Sequence, residues 1–477
     1  MSHSIAQPDL SLPADVSPIG ELLRLALPTV AQMASYTVMQ FIDRWMLASV
    51  SDLHAAAAGT AGITFFCFIG FGFGLLFVVN TMVSQNFGRG HLQATGPAMW
   101  QGVWFGVIFG AAMIGIIPIA HRVFAAMGHA PAVVDLESSY IKIVALTGWA
   151  KLATIATSQF LLGLQRPTVV FAATLAGVFV NTVLNWVLIF GHFGFAPMGL
   201  VGSAWGLNGG VLCELLVMAV YILRPIFIRA HGVADWRIHW GSMRTLLAIG
   251  VPSGFQLICD ITAWTIFMNV ILGSFGTAAL AANSFAFTYM HLCFMPALGV
   301  GGAVTALVGK YIGMGRYDLA ERRAHLGFFV CAAYMMVAGA VLIWFRFNLI
   351  GLFSADPEVQ KIGATILVFV GLYQLFDAMF LIYVSALRGA GDTLLPSIVQ
   401  GALVWSIVVG GGFLIVRYAP QYGVVGPWSV STVFGAILGL FLLTRFKLGH
   451  WKTIRLDLPD GSNVGDTSAK LTALTEP

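Results

Sequence analysis

"LPTVAQ" at residues 27–32 and "VPSGFQ" at 251–256 stand 224 positions apart, setting Pro28 against Pro252 and Gln32 against Gln256. The same offset lays "HAAAAGTAGITFFCF" (54–68) over "AALAANSFAFTYMHLCF" (278–294) and "MGLVGSAWG" (198–206) over "YGVVGPWSV" (422–430). One residue more lays "SQNFGRG" (84–90) over "GKYIGMG" (309–315). An offset of nearly half a 477-residue chain reads as a duplicated unit. Of the chain, 58% is hydrophobic and 9% charged, against roughly a quarter charged in soluble domains. Its apolar runs reach about 20 residues, the length an α-helix needs to cross about 30 Å of hydrocarbon, whereas barrel strands would alternate over about 10.

Apolar runs between Gly, Pro or charged breaks predict twelve helices, near 21–48, 54–84, 97–119, 133–163, 168–190, 199–224, 243–272, 278–309, 323–345, 359–386, 394–416 and 424–446. Six helices per repeat start both halves on the same side, so the repeats are parallel, with a pseudo-two-fold axis along the membrane normal and a cavity between them. The expectation is an all-α polytopic membrane protein of twelve transmembrane helices in two parallel six-helix lobes. Its N-lobe covers 21–224 and its C-lobe 243–450. A cytoplasmic linker, 225–242, carries Trp236, Ile238 and Trp240 on an amphipathic stretch suited to the membrane surface. Residues 1–20, which lack a basic and apolar leader pattern, and the polar 451–477 read as cytoplasmic tails. With both termini inside, sixteen Lys and Arg fall on the inner side and five on the outer, which selects that orientation.

Several functions lack residues to perform them. No Ser-His-Asp set, HExxH or Walker sequence appears, so the chain does not read as an enzyme. "GFGFG" at 70–74 breaks the dinucleotide pattern at Leu75 and follows no strand; close helix contact is the better reading. The five cysteines lie singly in apolar segments, without metal-ligand spacing. Basic residues sit in loops and tails rather than in one patch, which argues against nucleic acid.

The ionisable residues within the predicted spans are few: Asp43, Lys142, Lys151, Glu214, Asp260 and Asp377. A carboxylate at the centre of a span costs about 2.5 to 3.5 kcal/mol on insertion scales, so it needs a partner, a proton or a cation. Tyr373 and Asp377 share a helix face, as do Gln256, Asp260 and Trp264. Their oxygens suit a sodium ion or a shared proton. Asn181 and Asn185 repeat the i, i+4 spacing in the first half, where Asp43 is either a second polar site or an interfacial partner of Arg44. Glu214 is expected to line the cavity or pair with Lys142 or Lys151. His291 reads first as packing and second as a relay, and Trp264 can face an organic cation. Gln32 and Gln256 join Trp264, Glu214 and His291 as candidate cavity residues.

"ALPTVAQMASYTVMQFIDRWMLASV", "MVSQNFGRG", "VNTVLNWVLIFG", "GVPSGFQLICDITAW" and "LYQLFDAMFLIYVSALRGAGDT", spread over residues 20 to 450, resemble the multidrug and toxic compound extrusion (MATE) family, in its bacterial NorM-like branch. The resemblance implies a monomeric antiporter of the bacterial inner membrane. It would expel cationic, amphipathic drugs or dyes in exchange for sodium or protons, contacting lipid and needing no cofactor beyond the coupling ion. It also implies a second-lobe cation site on Asp260, Tyr373 and Asp377, and a first-lobe polar site on Asp43, Asn181 and Asn185. That branch often carries Glu where this chain has Asp260, and some relatives carry Asp where it has Asn185. A lipid-linked oligosaccharide flippase of the same superfamily is the alternative, but its pyrophosphate headgroup would want Arg or Lys in the cavity, and the mid-span charges here are mainly acidic.

Overall fold

The computed structural model describes residues 17–456, so residues 1–16 and 457–477 of the expected tails lie outside the described residues. Among the described residues, ten helical runs are long and apolar enough to cross a membrane. In the first half they are built from α2 (Asp52–Leu76) and its continuation α3 (Val78–Gly88), α4 (Thr95–Ala112), α7 (Pro167–Phe190) and α8 (Leu200–Ile222). In the second they are α10 (Trp240–Ile266), α11 (Thr277–Gly313), α12 (Tyr317–Trp344), α13 (Pro357–Ala390), the run opened by α14 (Leu394–Leu403), and α15 (Val425–Lys447).

The two remaining expected spans are helical as well. One is α1 (Pro18–Val50), which carries charge near both ends. The other breaks at Thr147 into α5 (Pro131–Leu146) and α6 (Gly148–Gly163). Asn208 of α8 makes that break tenable. It donates to the Ile143 carbonyl at 2.8 Å and accepts from the Thr147 hydroxyl at 2.5 Å, so the backbone freed by the break still finds a partner where water is scarce.

The linker is shorter than expected, because Trp240 is the first residue of α10 rather than part of the connection. It holds a short helix, α9 (Pro225–His231), and an extended stretch that docks on α4. Trp100 and Trp104 donate their indole N–H to the carbonyls of Val233 (2.8 Å) and Trp236 (2.7 Å). Gln101 donates to the Arg237 carbonyl (3.0 Å) and accepts from the His239 N–H (3.1 Å). Trp236 and Trp240 keep their rings exposed, as a surface-lying stretch requires.

Between the halves, α1 packs on α11 and α2 on α10, the repeat-related pairs. The "GFGFG" glycines serve this seam: a Cβ on Gly74 would stand 2.7 Å from the Ser253 carbonyl oxygen. The hydrogen bonds crossing between halves gather at one end, where α3, α11 and α13 finish. Thr81 donates to the Arg388 carbonyl (2.8 Å) and Gln85 to that of Gly389 (3.0 Å). Glu21, at the start of α1, accepts from Lys310 (3.3 Å), Tyr311 (2.8 Å) and Arg323 (2.8 Å). These contacts join the halves at this end.

Candidate functional site

In the first half the structure brings Asp43, Asn181 and Asn185 together. One helical turn apart on α7, both asparagines are fully buried and face α1. Asn185 donates to Asp43 Oδ1 at 2.6 Å. With its amide turned to satisfy both ends, Asn181 donates to the same oxygen at 3.0 Å and accepts from the Leu207 N–H at 3.2 Å. Asp43 thus belongs to this cluster and not to an ion pair with Arg44, whose side chain is exposed.

In the second half Tyr373 and Asp377 lie one turn apart on α13, both buried, and half-buried Asp260 lies on α10 one turn before Trp264. Trp264 closes the group, its ring centroid 6.1 Å from that of Tyr373 and nearly perpendicular to it. Gly435 of α15 lets the Tyr373 ring lie flat, since a Cβ there would come within 2.5 Å of it. Asp260 accepts from Gln400 at 3.2 Å. Gln400 also accepts from Gln256, which accepts from Ser397 at 3.2 Å, so a ladder of amides from α14 orients the carboxylate. Among the described residues, Oδ2 of Asp377 is buried without a hydrogen-bond partner, and Gln374, on the preceding turn, has none for either amide atom. Orphaned oxygens beside a second carboxylate are the arrangement that a small hard cation, or a proton, completes.

A third polar group escaped sequence reasoning. Glu214 is buried and accepts from the hydroxyls of Tyr36 (2.5 Å) and Thr174 (2.6 Å), rather than pairing with Lys142 or Lys151. The repeat offset that matches Gln32 to Gln256 also matches Tyr36 to Asp260, a signal available in the sequence. No comparable signal marks Gln400, Ser397 or Thr174.

A cavity lies between the halves, lined by residues of both. Of the candidate cavity residues, Gln32 lines it. Of the other candidates, Gln256 is held in the amide ladder, Trp264 packs on Tyr373, Glu214 accepts from two hydroxyls, and His291 is exposed on α11. Lys151 and Arg388 line the wall instead, together with Tyr36, Phe73 and Phe77. The charged side chains that line this cavity are thus basic, whereas Asp377 and Glu214 are buried within the halves.

Comparison with known proteins agrees with this architecture. Two regions, 28–187 and 252–412, match the family model described as MatE, and their starts fall on the paired prolines of the repeat. A probable multidrug resistance protein NorM from Rhizobium meliloti is 28% identical over 91% of this chain and 92% of its own length. The multidrug resistance protein PmpM of Pseudomonas aeruginosa is 28% identical over 93% and 96%. A solved structure described as the outward-facing conformation of a multidrug resistance MATE family transporter superposes with a TM-score of 0.83 at 18% identity, covering 92% of this chain and 97% of that one. With a duplicated match over most of its length and buried carboxylates in both halves, this chain belongs to the MatE family of multi-pass membrane transporters.

Proposed function

We propose that the chain is a cation-coupled antiporter that exports cationic amphipathic compounds by alternating access, taking up Na⁺ or H⁺ in exchange. The observation that carries the reading is the unpartnered carboxylate oxygen of Asp377, buried in a span beside Asp260 and Tyr373. An intramembrane carboxylate left incomplete by its own protein marks an ion path more often than packing. A sodium ion would draw on oxygens of Asp260, Tyr373 and Asp377; a proton would sit on one of the carboxylates. Either would link α10 to α13 and favour one arrangement of the halves over the other, which coupling requires, since a ligand binding both states equally shifts nothing. The Asp43, Asn181 and Asn185 cluster is the matching polar site of the first half. The relatives' names as multidrug resistance proteins support drug-like substrates.

We further propose a monomer in the bacterial inner membrane, in keeping with the bacterial relatives, and from the loop charge asymmetry a linker on the cytoplasmic side. In a cysteine-free background, Ile226→Cys should be shielded from an impermeant thiol reagent in intact cells and Phe195→Cys should react; the reverse pattern would overturn the orientation. The test of function is dye efflux from vesicles holding the purified protein, driven by an imposed sodium gradient or an imposed pH gradient, each alone. Efflux under one gradient supports the antiporter, and efflux under neither sinks it. A lipid-linked oligosaccharide flippase is the second reading, favoured by Lys151 and Arg388 on the cavity wall. Flipping of a pyrophosphate-linked lipid without any dye efflux would select it.

A further inference from the structure

The two charged residues on the cavity wall come from opposite halves, Lys151 from α6 and Arg388 from α13. Among the described residues neither forms a salt bridge. Lys151 Nζ lies 5.1 Å from the centre of the Tyr36 ring and the Arg388 guanidinium 5.0 Å from that of Phe77. Arg388 Nε is buried and has no acceptor. The nearby carboxylate of Glu214 accepts the Tyr36 and Thr174 hydroxyls on one and the same oxygen and, among the described residues, forms no salt bridge with Lys151. Two cations lining one cavity of low dielectric, neither of them in a salt bridge, lose hydration; an anion brought by a ligand relieves that cost. Arginine offers a planar carboxylate a forked pair of N–H donors, and lysine adds a mobile point charge. Phe73, Phe77 and Leu298 line the same cavity with apolar surface that suits an aromatic body.

We propose that Lys151 and Arg388 form an anion subsite that takes the carboxylate of an amphipathic aromatic substrate, so that zwitterions are carried as well as simple cations. This deepens the efflux reading and rests on it. The cationic part of such a substrate is left to the carboxylates within the halves, while its anion sits where the halves meet. Because the two cations belong to different halves, a bound carboxylate also favours the arrangement in which they face one cavity.

The experiment uses the full chain in lipid nanodiscs and two rhodamines that differ only in whether the benzoate is free or methylated. Binding is read by fluorescence polarisation, and ion-driven efflux of both dyes is read in vesicles. Losing a charged hydrogen-bond partner weakens binding by roughly tenfold or more. Lys151→Gln and Arg388→Gln should each weaken the free acid by about that factor and leave the ester within about twofold. Lys151→Arg should recover most of the loss and Arg388→Lys only part of it, since lysine restores the charge but not the fork, which separates the charge from any packing role. Equal losses for both dyes, or an unchanged affinity for the free acid in both glutamine variants, would overturn the subsite. If wild-type vesicles expel neither dye under any gradient, the efflux reading fails on its own, and the binding comparison still decides the subsite.

Discussion

Asp377 keeps one carboxylate oxygen without a donor inside a spanning helix, and Asp260 is held by one amide. Asparagine at either position preserves size and removes the charge. Asp377→Asn and Asp260→Asn should each abolish ion-driven dye efflux while leaving expression and insertion near wild type; Tyr373→Phe, which removes a neutral oxygen, should slow it less. Rates from equal amounts of folded protein in vesicles check this, and wild-type rates in both Asn variants would return the pair to a structural role. These residues were legible because an acid in an apolar run is conspicuous and the i, i+4 spacing shows what shares its face. Gln400, Ser397 and Thr174 were not, because amides and hydroxyls are ordinary in spans and their partners lie 40 or more residues away. Lys151 was visible as a charge, but which way it faced depended on Tyr36 taking Glu214 instead.

At the scale of elements, the fourth predicted span shows where hydropathy stops informing. The run 133–163 reads as one helix, yet it breaks at Thr147, and only Asn208 on another helix explains why the break is affordable. Asn208→Ala removes the side-chain donor of the Ile143 carbonyl and leaves the Thr147 hydroxyl only its long bond to the Val144 carbonyl, at 3.4 Å. It should lower stability by about 0.6 to 2 kcal/mol, read as a lower midpoint of thermal unfolding in detergent. Glycines in "GFGFG" were legible as contact positions because no other motif fitted them; the π-helical stretches Phe267–Ile271 and Val404–Gly411 were not, since their cause lies in packing. The linker carries its own pH dependence. Burial first, and then the Arg166 charge, push the His231 imidazole down to about 4 from an ordinary 6.5. The undocked linker therefore binds a proton that the docked one refuses, so docking is at full strength above pH 6.5 and is lost as pH falls toward 4. A spin label at Ile226, exposed beside the dock, should gain mobility between pH 7 and 5, and His231→Asn should flatten that change.

For the whole molecule, the duplication visible in "LPTVAQ" and "VPSGFQ" fixes which helices meet across the middle, but not which end is closed. Closure is a property of contacts that neither repeat contains alone. Glu21 is the clearest of these: one side chain from the first half accepts from Lys310, Tyr311 and Arg323 of the second. Under the alternating access proposed above, this end opens once per cycle, so the Glu21 contacts would have to hold the closed form and still release it. Glu21→Gln keeps the shape and removes the charge that balances Lys310 and Arg323, leaving two partly buried cations without a counter-ion. The closed arrangement should lose population to one open at this end. Spin labels at Thr168→Cys and Arg322→Cys, exposed sites on opposite halves near the seal, report the change as a second, longer distance in pulsed electron resonance. Added coupling ion should shift the balance between the two distances in wild type and variant alike, because its site around Asp377 is intact in both. A distance distribution in Glu21→Gln that matches wild type under every ion condition would mean that the seal is held by the backbone contacts of Thr81 and Gln85, and that Glu21 is not part of the gate.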